Sequence, residues 1–168
     1  FYEIDRWLDS GAARAAGAYG DRARLMLHKL LPRAKVDPSI IFHGAVTRKV
    51  LAKTQVKCRV QCYPYQPVQY CEGFGGAVNQ GIAAWCHVLL TPHDAFESLY
   101  DGAVTWMERD PSLMQSQLST AIVRALTDVP WSEARVKAAE PLRFKYTWRA
   151  AGAEMERAVN RQWTSEER

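Results

Sequence analysis

Glu72-Gly73-Phe74-Gly75-Gly76-Ala77-Val78-Asn79-Gln80 sets a carboxylate before a glycine-rich turn and runs straight into a helix-forming segment. Glycines let a backbone come close to a ligand. The free N–H groups of a helix start, with the helix dipole, favour a bound phosphate. A carboxylate beside that site repels phosphate, so Glu72 suits hydroxyl groups, and sugars are dense in these. Gln80 stands eight residues beyond Glu72. On a helical reading that is about two turns, or roughly 12 Å. One nucleotide-sugar spans both positions with its diphosphate between them. The same residues also suit a plain helix-start carboxylate followed by glycines for tight packing, and spacing alone leaves both readings open.

Short apolar runs and helical patterns alternate on either side of this stretch. Phe1 to Ile4 alternates as a strand does, and Ser10 to Gly20 reads as a loop or weak helix. Asp21 to Leu31 carries leucines at helical spacing and should stop at Pro32. Ile40 to His43, bounded by Pro38 and Gly44, reads as a buried strand, which would make His43 a core histidine. Thr47 to Thr54 is a short helix with Thr47 as its N-cap. Cys58 to Tyr63 is the next strand, and Pro64 and Pro67 force a loop. Gly75 to Ala84 is a helix, while Cys86 to Leu90 and Ala103 to Trp106 are strands. The remainder reads as helices, with an apolar stripe of Leu113, Leu118, Ile122 and Leu126, then Trp131 to Leu142 and Trp148 to Val159. Alternation of this kind predicts an α/β fold, a Rossmann-like open parallel sheet with helices on both faces. Ligands of such sheets bind at the carboxyl ends of the strands.

Composition narrows the classes. With 168 residues the chain suits one domain, and 48% hydrophobic residues suffice for a core. The net charge of +4 is spread among interleaved acids and bases, which argues against a nucleic-acid face. No apolar run reaches membrane-spanning length, and no secretory leader is visible. Cys58, Cys62, Cys71 and Cys86 include no CxxC pair. Free thiols in a reducing compartment fit better than a zinc site, and no metal is expected.

The ordered motifs resemble the C-terminal domain of GT-B-fold glycosyltransferases, in the retaining, nucleotide-sugar-dependent group called family 4. That group carries an acid, seven residues and a second acid, beginning E-G-F-G. Here it stands as Glu72-Gly73-Phe74-Gly75 with Gln80 in the second acidic place. Ile41-Phe42-His43-Gly44-Ala45-Val46 is similar to the group's strand ending in Gly-x-Val, and Arg59 to Pro64 to its next strand. Val88 to Thr91, Gly102-Ala103-Val104, Arg109-Asp110-Pro111 and Tyr146-Thr147-Trp148 match later elements, so the resemblance covers nearly the whole chain.

The resemblance implies a role for each position. Glu72, as the catalytic carboxylate, accepts hydrogen bonds from donor-sugar hydroxyls. Gly73, Phe74 and Gly75 meet the sugar or diphosphate through backbone N–H groups. Gln80 takes the place of the acid that holds the ribose, and Val46 meets the nucleobase. The implied reaction is transfer, with retention, from a UDP-, GDP- or ADP-type sugar to an acceptor. No cofactor is implied beyond that donor. The implied location is the cytoplasm, free or peripheral to the inner membrane. On this reading residues 1–163 form one nucleotide-sugar-binding domain with a polar tail at 164–168. The group's first strand, first helix and acceptor-binding domain have no counterpart in the residues present. That predicts an inactive chain that self-associates through an open sheet edge.

Some residues depart from the group's pattern. Asn79-Gln80 stands for Leu-Glu, Trp85 for Gly and His87 for Pro. These departures support the alternative, a non-catalytic domain that serves only binding or interaction. His93 and Asp94 follow a strand and read as a loop turn, with a catalytic pair as the variant. Trp7, Trp106, Trp131, Trp148 and Trp163 read as packing residues.

Overall fold

The computed structural model describes residues 17–41, 43, 46–64, 75–93 and 95–166. The expected strand at Phe1 to Ile4 lies outside them. The chain divides into two compact units, Phe1–Leu51 and Ala52–Arg168.

In the first unit, helix α1 covers Ala18–Val36. It does not stop at Pro32, which lies inside it. A proline removes one backbone donor and crowds the preceding turn, but the ladder resumes at once. The Asp37 N–H donates to the Arg33 carbonyl at 2.8 Å. The chain then leaves the helix where the Asp37 carboxylate accepts from the Ser39 N–H and hydroxyl, at 2.9 and 2.6 Å. Both bonds lower the Asp37 pKa. Ile40, Ile41 and His43 form no strand, and Ile41 is 70% exposed. The expected buried strand, with a core histidine at 43, is therefore corrected: an apolar run enters a sheet only where it finds an edge to pair with. Helix α2, Arg48–Gln55, spans the division between the units. The Val50 N–H donates to the Thr47 hydroxyl at 3.4 Å, as expected of an N-cap.

The second unit holds the sheet. Strands β1 (Val60–Tyr63), β2 (His87–Leu90) and β3 (Thr105–Trp106) lie in the order β1-β2-β3, all parallel. Helix α3 (Gly76–Ala83) connects β1 to β2, and α4 (Phe96–Tyr100) lies between β2 and β3. Helices α5 (Pro111–Thr127), α6 (Val129–Ala138), α7 (Glu140–Lys145) and α8 (Trp148–Glu166) follow. β2 is buried along its whole length. Its residues alternate between two covered faces. Val88 and Leu90 pack with Val78 and Ile82 of α3 and Phe96 and Tyr100 of α4. His87 points the other way, to Ser132 of α6. The expected Rossmann-like α/β architecture is present, as a parallel sheet with helices on both faces.

Local expectations shift in several places. Cys58 precedes β1 and is exposed, with its thiol donating to the Thr54 carbonyl at 3.4 Å. The expected helix over Trp131 to Leu142 is two helices, because Pro141 opens α7 at its first turn. The buried stripe of α5 runs through Met114 and Ala125, with Leu118 and Ile122 half-buried. Leu113 and Leu126 are exposed. The last helix runs to Glu166 instead of ending at Val159. Trp148, expected to pack, is 95% exposed.

Candidate functional site

Gly75 is the N-cap of α3 and lies beyond the carboxyl end of β1. Its position is fixed by sterics: a Cβ there would stand 2.9 Å from Val78 Cγ2 and 3.1 Å from the Phe96 ring. Nothing larger than glycine fits without moving the core. The Tyr100 hydroxyl donates to the Gly75 carbonyl at 3.3 Å, and the Asn79 N–H donates to the same oxygen at 2.9 Å. Phe96 and Tyr100 stack edge to face at 5.5 Å, and Tyr63 at the end of β1 lies 6.4 Å from Phe96. Phe96 and Tyr100 were not singled out in the sequence. The helical spacing of Phe96 and Tyr100 after a strand is the signal that could have found them.

Among the described residues, no side chain caps α3. The N–H groups of a helix's first turn have no partner within the helix and suit an outside acceptor. A Cβ built at Gly76 meets nothing within 4 Å, so there is room for a side chain at that position. Val78, Gly81 and Ile82 form the buried face of α3, while Gly76, Gln80 and Ala83 form the exposed one. Gln80 stands one turn above Gly76 on that exposed face. Glu72, Gly73 and Phe74 lie outside the described residues. The helix begins at Gly76, so the spacing from Glu72 to Gln80 lies partly outside the described residues. Val46 belongs to the first unit and is exposed there. Gly75 and Gln80 are thus the expected site residues that one element brings together.

Gly81 has a different constraint. A Cβ there would collide with the Gln61 amide, which is held by its donation to the Ala77 carbonyl at 2.8 Å. That contact draws α3 onto β1. His93 is buried at the carboxyl side of β2, edge-on to Phe96 at 6.1 Å. Its carbonyl accepts the Phe96 N–H at 2.8 Å, the hydrogen bond of a turn. Asp94 is outside the described residues.

At the amino edge of the sheet, Trp85 has φ 64°, the left-handed region. This is a conformation that glycine adopts at no steric cost. A bulky side chain in that conformation costs roughly 1–2 kcal/mol. Beside it, His87 is buried between two hydroxyls, with Nδ1 3.0 Å from Ser132 Oγ and Nε2 2.8 Å from Thr105 Oγ1. Trp131 covers the ring at 4.6 Å. Burial first, and the Arg135 charge second, lower its pKa from 6.5 to about 4. Cys62 and Cys86 are shifted up by burial, Cys86 also by the neighbouring Cys58. Among the described residues, no group of three or more His, Cys, Asp and Glu side chains is placed to hold a metal ion. No described helix is long and apolar enough to cross a membrane.

No family profile matches the chain, and no curated protein sequence matches it. Among solved structures, it is similar to sucrose-phosphate synthase from Thermosynechococcus elongatus, with a TM-score of 0.63 and 17% identity. The match covers 97% of this chain and 43% of that one. The fold is GT-B-like, a Rossmann-like half. This chain spans less than half the length of that structural neighbour.

Proposed function

We propose that this chain is the donor-binding half of a nucleotide-sugar-dependent glycosyltransferase that acts with retention. The observation that carries the reading is the start of α3. Gly75, where a Cβ would crowd Val78 and Phe96, leads into a helix start that no described side chain caps, beyond the carboxyl end of β1, with room at Gly76. That arrangement favours a diphosphate. Gln80, one turn above, suits ribose hydroxyls, which an amide meets with both a donor and an acceptor. Glu72 is assigned to the donor sugar and Val46 to the base, in line with the family resemblance. The GT-B-like fold supports this assignment, and the structural neighbour is itself named as a synthase of sucrose phosphate. The donor is the only small molecule the reading requires.

Calorimetry with UDP, GDP and UDP-glucose tests it. We expect dissociation constants on the order of a millimolar for helix-terminus and ribose contacts alone. Gly76→Asp places a carboxylate where there is room for a side chain. It should keep or raise the melting temperature, because an acid suits a helix start, while abolishing nucleotide binding. Gln80→Glu should tighten binding by about 1 kcal/mol through charge-assisted bonds to ribose. Nucleotide binding that Gly76→Asp leaves intact would sink the assignment.

Trp85 in a strained left-handed conformation favours a second reading, a non-catalytic domain that keeps the fold. Absence of nucleotide binding at any accessible concentration would select it.

A further inference from the structure

We propose a second ligand site at the amino edge of the sheet, where a cavity takes the pyranose ring of a neutral saccharide. The cavity has a volume of about 480 Å³ and is lined by Arg59, Trp85, Ser132, Glu133, Lys137 and Glu140, among others. That volume is in the range of small-molecule sites. Arg59 immediately precedes β1 and Trp85 lies just before β2, so this is the edge opposite the start of α3.

Three features define the ligand. The first is Trp85. The residue is 58% exposed although its backbone is strained. Strain of this kind persists where the surroundings hold it, often at ligand sites. Here the holding group is Arg143, whose guanidinium lies 2.9 Å from the indole centroid. The Arg143 Nε donates to the Ile82 carbonyl at 3.0 Å. Trp85 is thus a flat apolar platform stiffened from behind.

The second feature is charge. Two cations, Arg59 and Lys137, stand against two carboxylates, Glu133 and Glu140. The charges of the lining side chains themselves balance, with the Arg143 guanidinium covered by the indole on the far side. Among the described residues, Glu133, Lys137 and Glu140 are not held in ion pairs. They keep their hydrogen-bonding capacity for an outside partner. The third is Ser132, whose hydroxyl is already engaged by His87 and adds little.

A ligand for this lining is uncharged, has one apolar face for the indole, and carries several hydroxyls that both donate and accept. A pyranose has these properties: its C–H face stacks on an aromatic ring, and its hydroxyls meet acids and bases alike. The site is independent of the donor-site reading, since it uses neither Gly75, Gly76 nor Gln80 at the start of α3.

Saturation-transfer NMR on the 168-residue chain, with maltotriose and cellotriose as probes, tests the proposal. At least one of them should receive saturation, strongest on one face of a ring, and UDP should not displace it. Trp85→Gly suits the left-handed backbone, so the variant should fold, as circular dichroism will check, and it should weaken binding by about tenfold or more. Glu140→Gln, which keeps shape and removes charge, should weaken it severalfold. No transfer to either sugar at tens of millimolar would overturn the proposal. So would affinity unchanged in both variants, or displacement by UDP.

Discussion

Trp85 and His87, two residues apart, make opposite demands on the fold. Trp85 holds a backbone conformation suited to glycine, and its stack with Arg143 offsets part of the cost. Trp85→Gly removes both the strain and the stack, and it adds unfolded-state entropy, so its net effect should be within about 1 kcal/mol of zero. Trp85→Ala loses the stack but keeps the strain. It should be less stable than the glycine variant by about 1 kcal/mol. Urea unfolding of the two variants measures the difference, and equal stability would show that the left-handed conformation costs nothing here. His87 gives a pH signature. Its folded pKa, about 4, lies below the ordinary 6.5, so the unfolded chain takes up the proton first. Stability is therefore complete above about pH 6.5 and falls as pH drops toward 4, by at most roughly 3 kcal/mol from this group. His87→Gln, which retains hydrogen bonding to the two hydroxyls, should flatten that slope in unfolding midpoints taken between pH 7 and 4.5. An unchanged slope would assign the loss to other groups. The sequence reading had marked both positions as departures from a family pattern, but it could not say which was a backbone problem. A torsion angle is set by where the chain must go next, and residue identity records it only when that residue is glycine.

Helix ends were more legible than helix partners. Thr47 caps α2 as its sequence suggests, and Asp110-Pro111 opens α5 with its carboxylate accepting from the Ser112 N–H at 2.8 Å. Cap and proline signals act through the nearest few residues, so they survive without tertiary information. At Glu140-Pro141 the proline sits in the first turn of α7, but the N-cap is Ala139 and no side chain caps the helix, so the sequence reads as one helix from Trp131 to Leu142. Ile40 to His43 fails for a different reason. Its composition suits a strand, but pairing depends on a neighbour that composition does not name. The apolar stripe of α5 was misplaced by about one residue position, because α6 and the sheet together decide which face is covered. Within the candidate site, the glycine-rich helix start was readable, whereas its lock by Phe96 and Tyr100 depends on a loop closing over a long range. The α5–α6 junction carries a testable consequence. Asp128 ends α5, its N–H donating to the Arg124 carbonyl at 2.8 Å, and it begins α6, its carboxylate accepting from the Trp131 N–H at 3.1 Å. Asp128→Ala should cost about 1 kcal/mol through the lost cap, and Asp128→Asn about half of that or less. Thermal melts will show whether alanine and asparagine differ; identical losses would point instead to the ion pair with Arg124 at 3.5 Å.

Burial is distributed very unevenly along the chain. Every buried apolar side chain among the described residues lies between Val78 and Ala139. In the first unit, Leu25 and Val36 of α1 are exposed. Isolated helices of this length are marginal in water, and an internal proline weakens this one further. β2 is in the reverse position. It is flanked by β1 and β3, covered on both faces, and tied at its ends by the His87 N–H to the Arg59 carbonyl and the Met107 N–H to the Leu90 carbonyl, both at 2.8 Å. Opening β2 requires breaking the sheet and both layers at once, so its amides should exchange only through global unfolding. Deuterium uptake in native buffer should show peptides over 18–36 saturating within the earliest time points. Peptides over 87–90 should remain protected by several orders of magnitude more. The start of α3 should fall between them, because Gly75 is locked by the Tyr100 hydroxyl while no described side chain caps the first turn. Addition of UDP should slow exchange there and leave α1 unchanged, since a ligand protects only the openings it opposes. Protection of α1 equal to that of β2 would contradict this gradient and show that the first unit draws its stability from the same core.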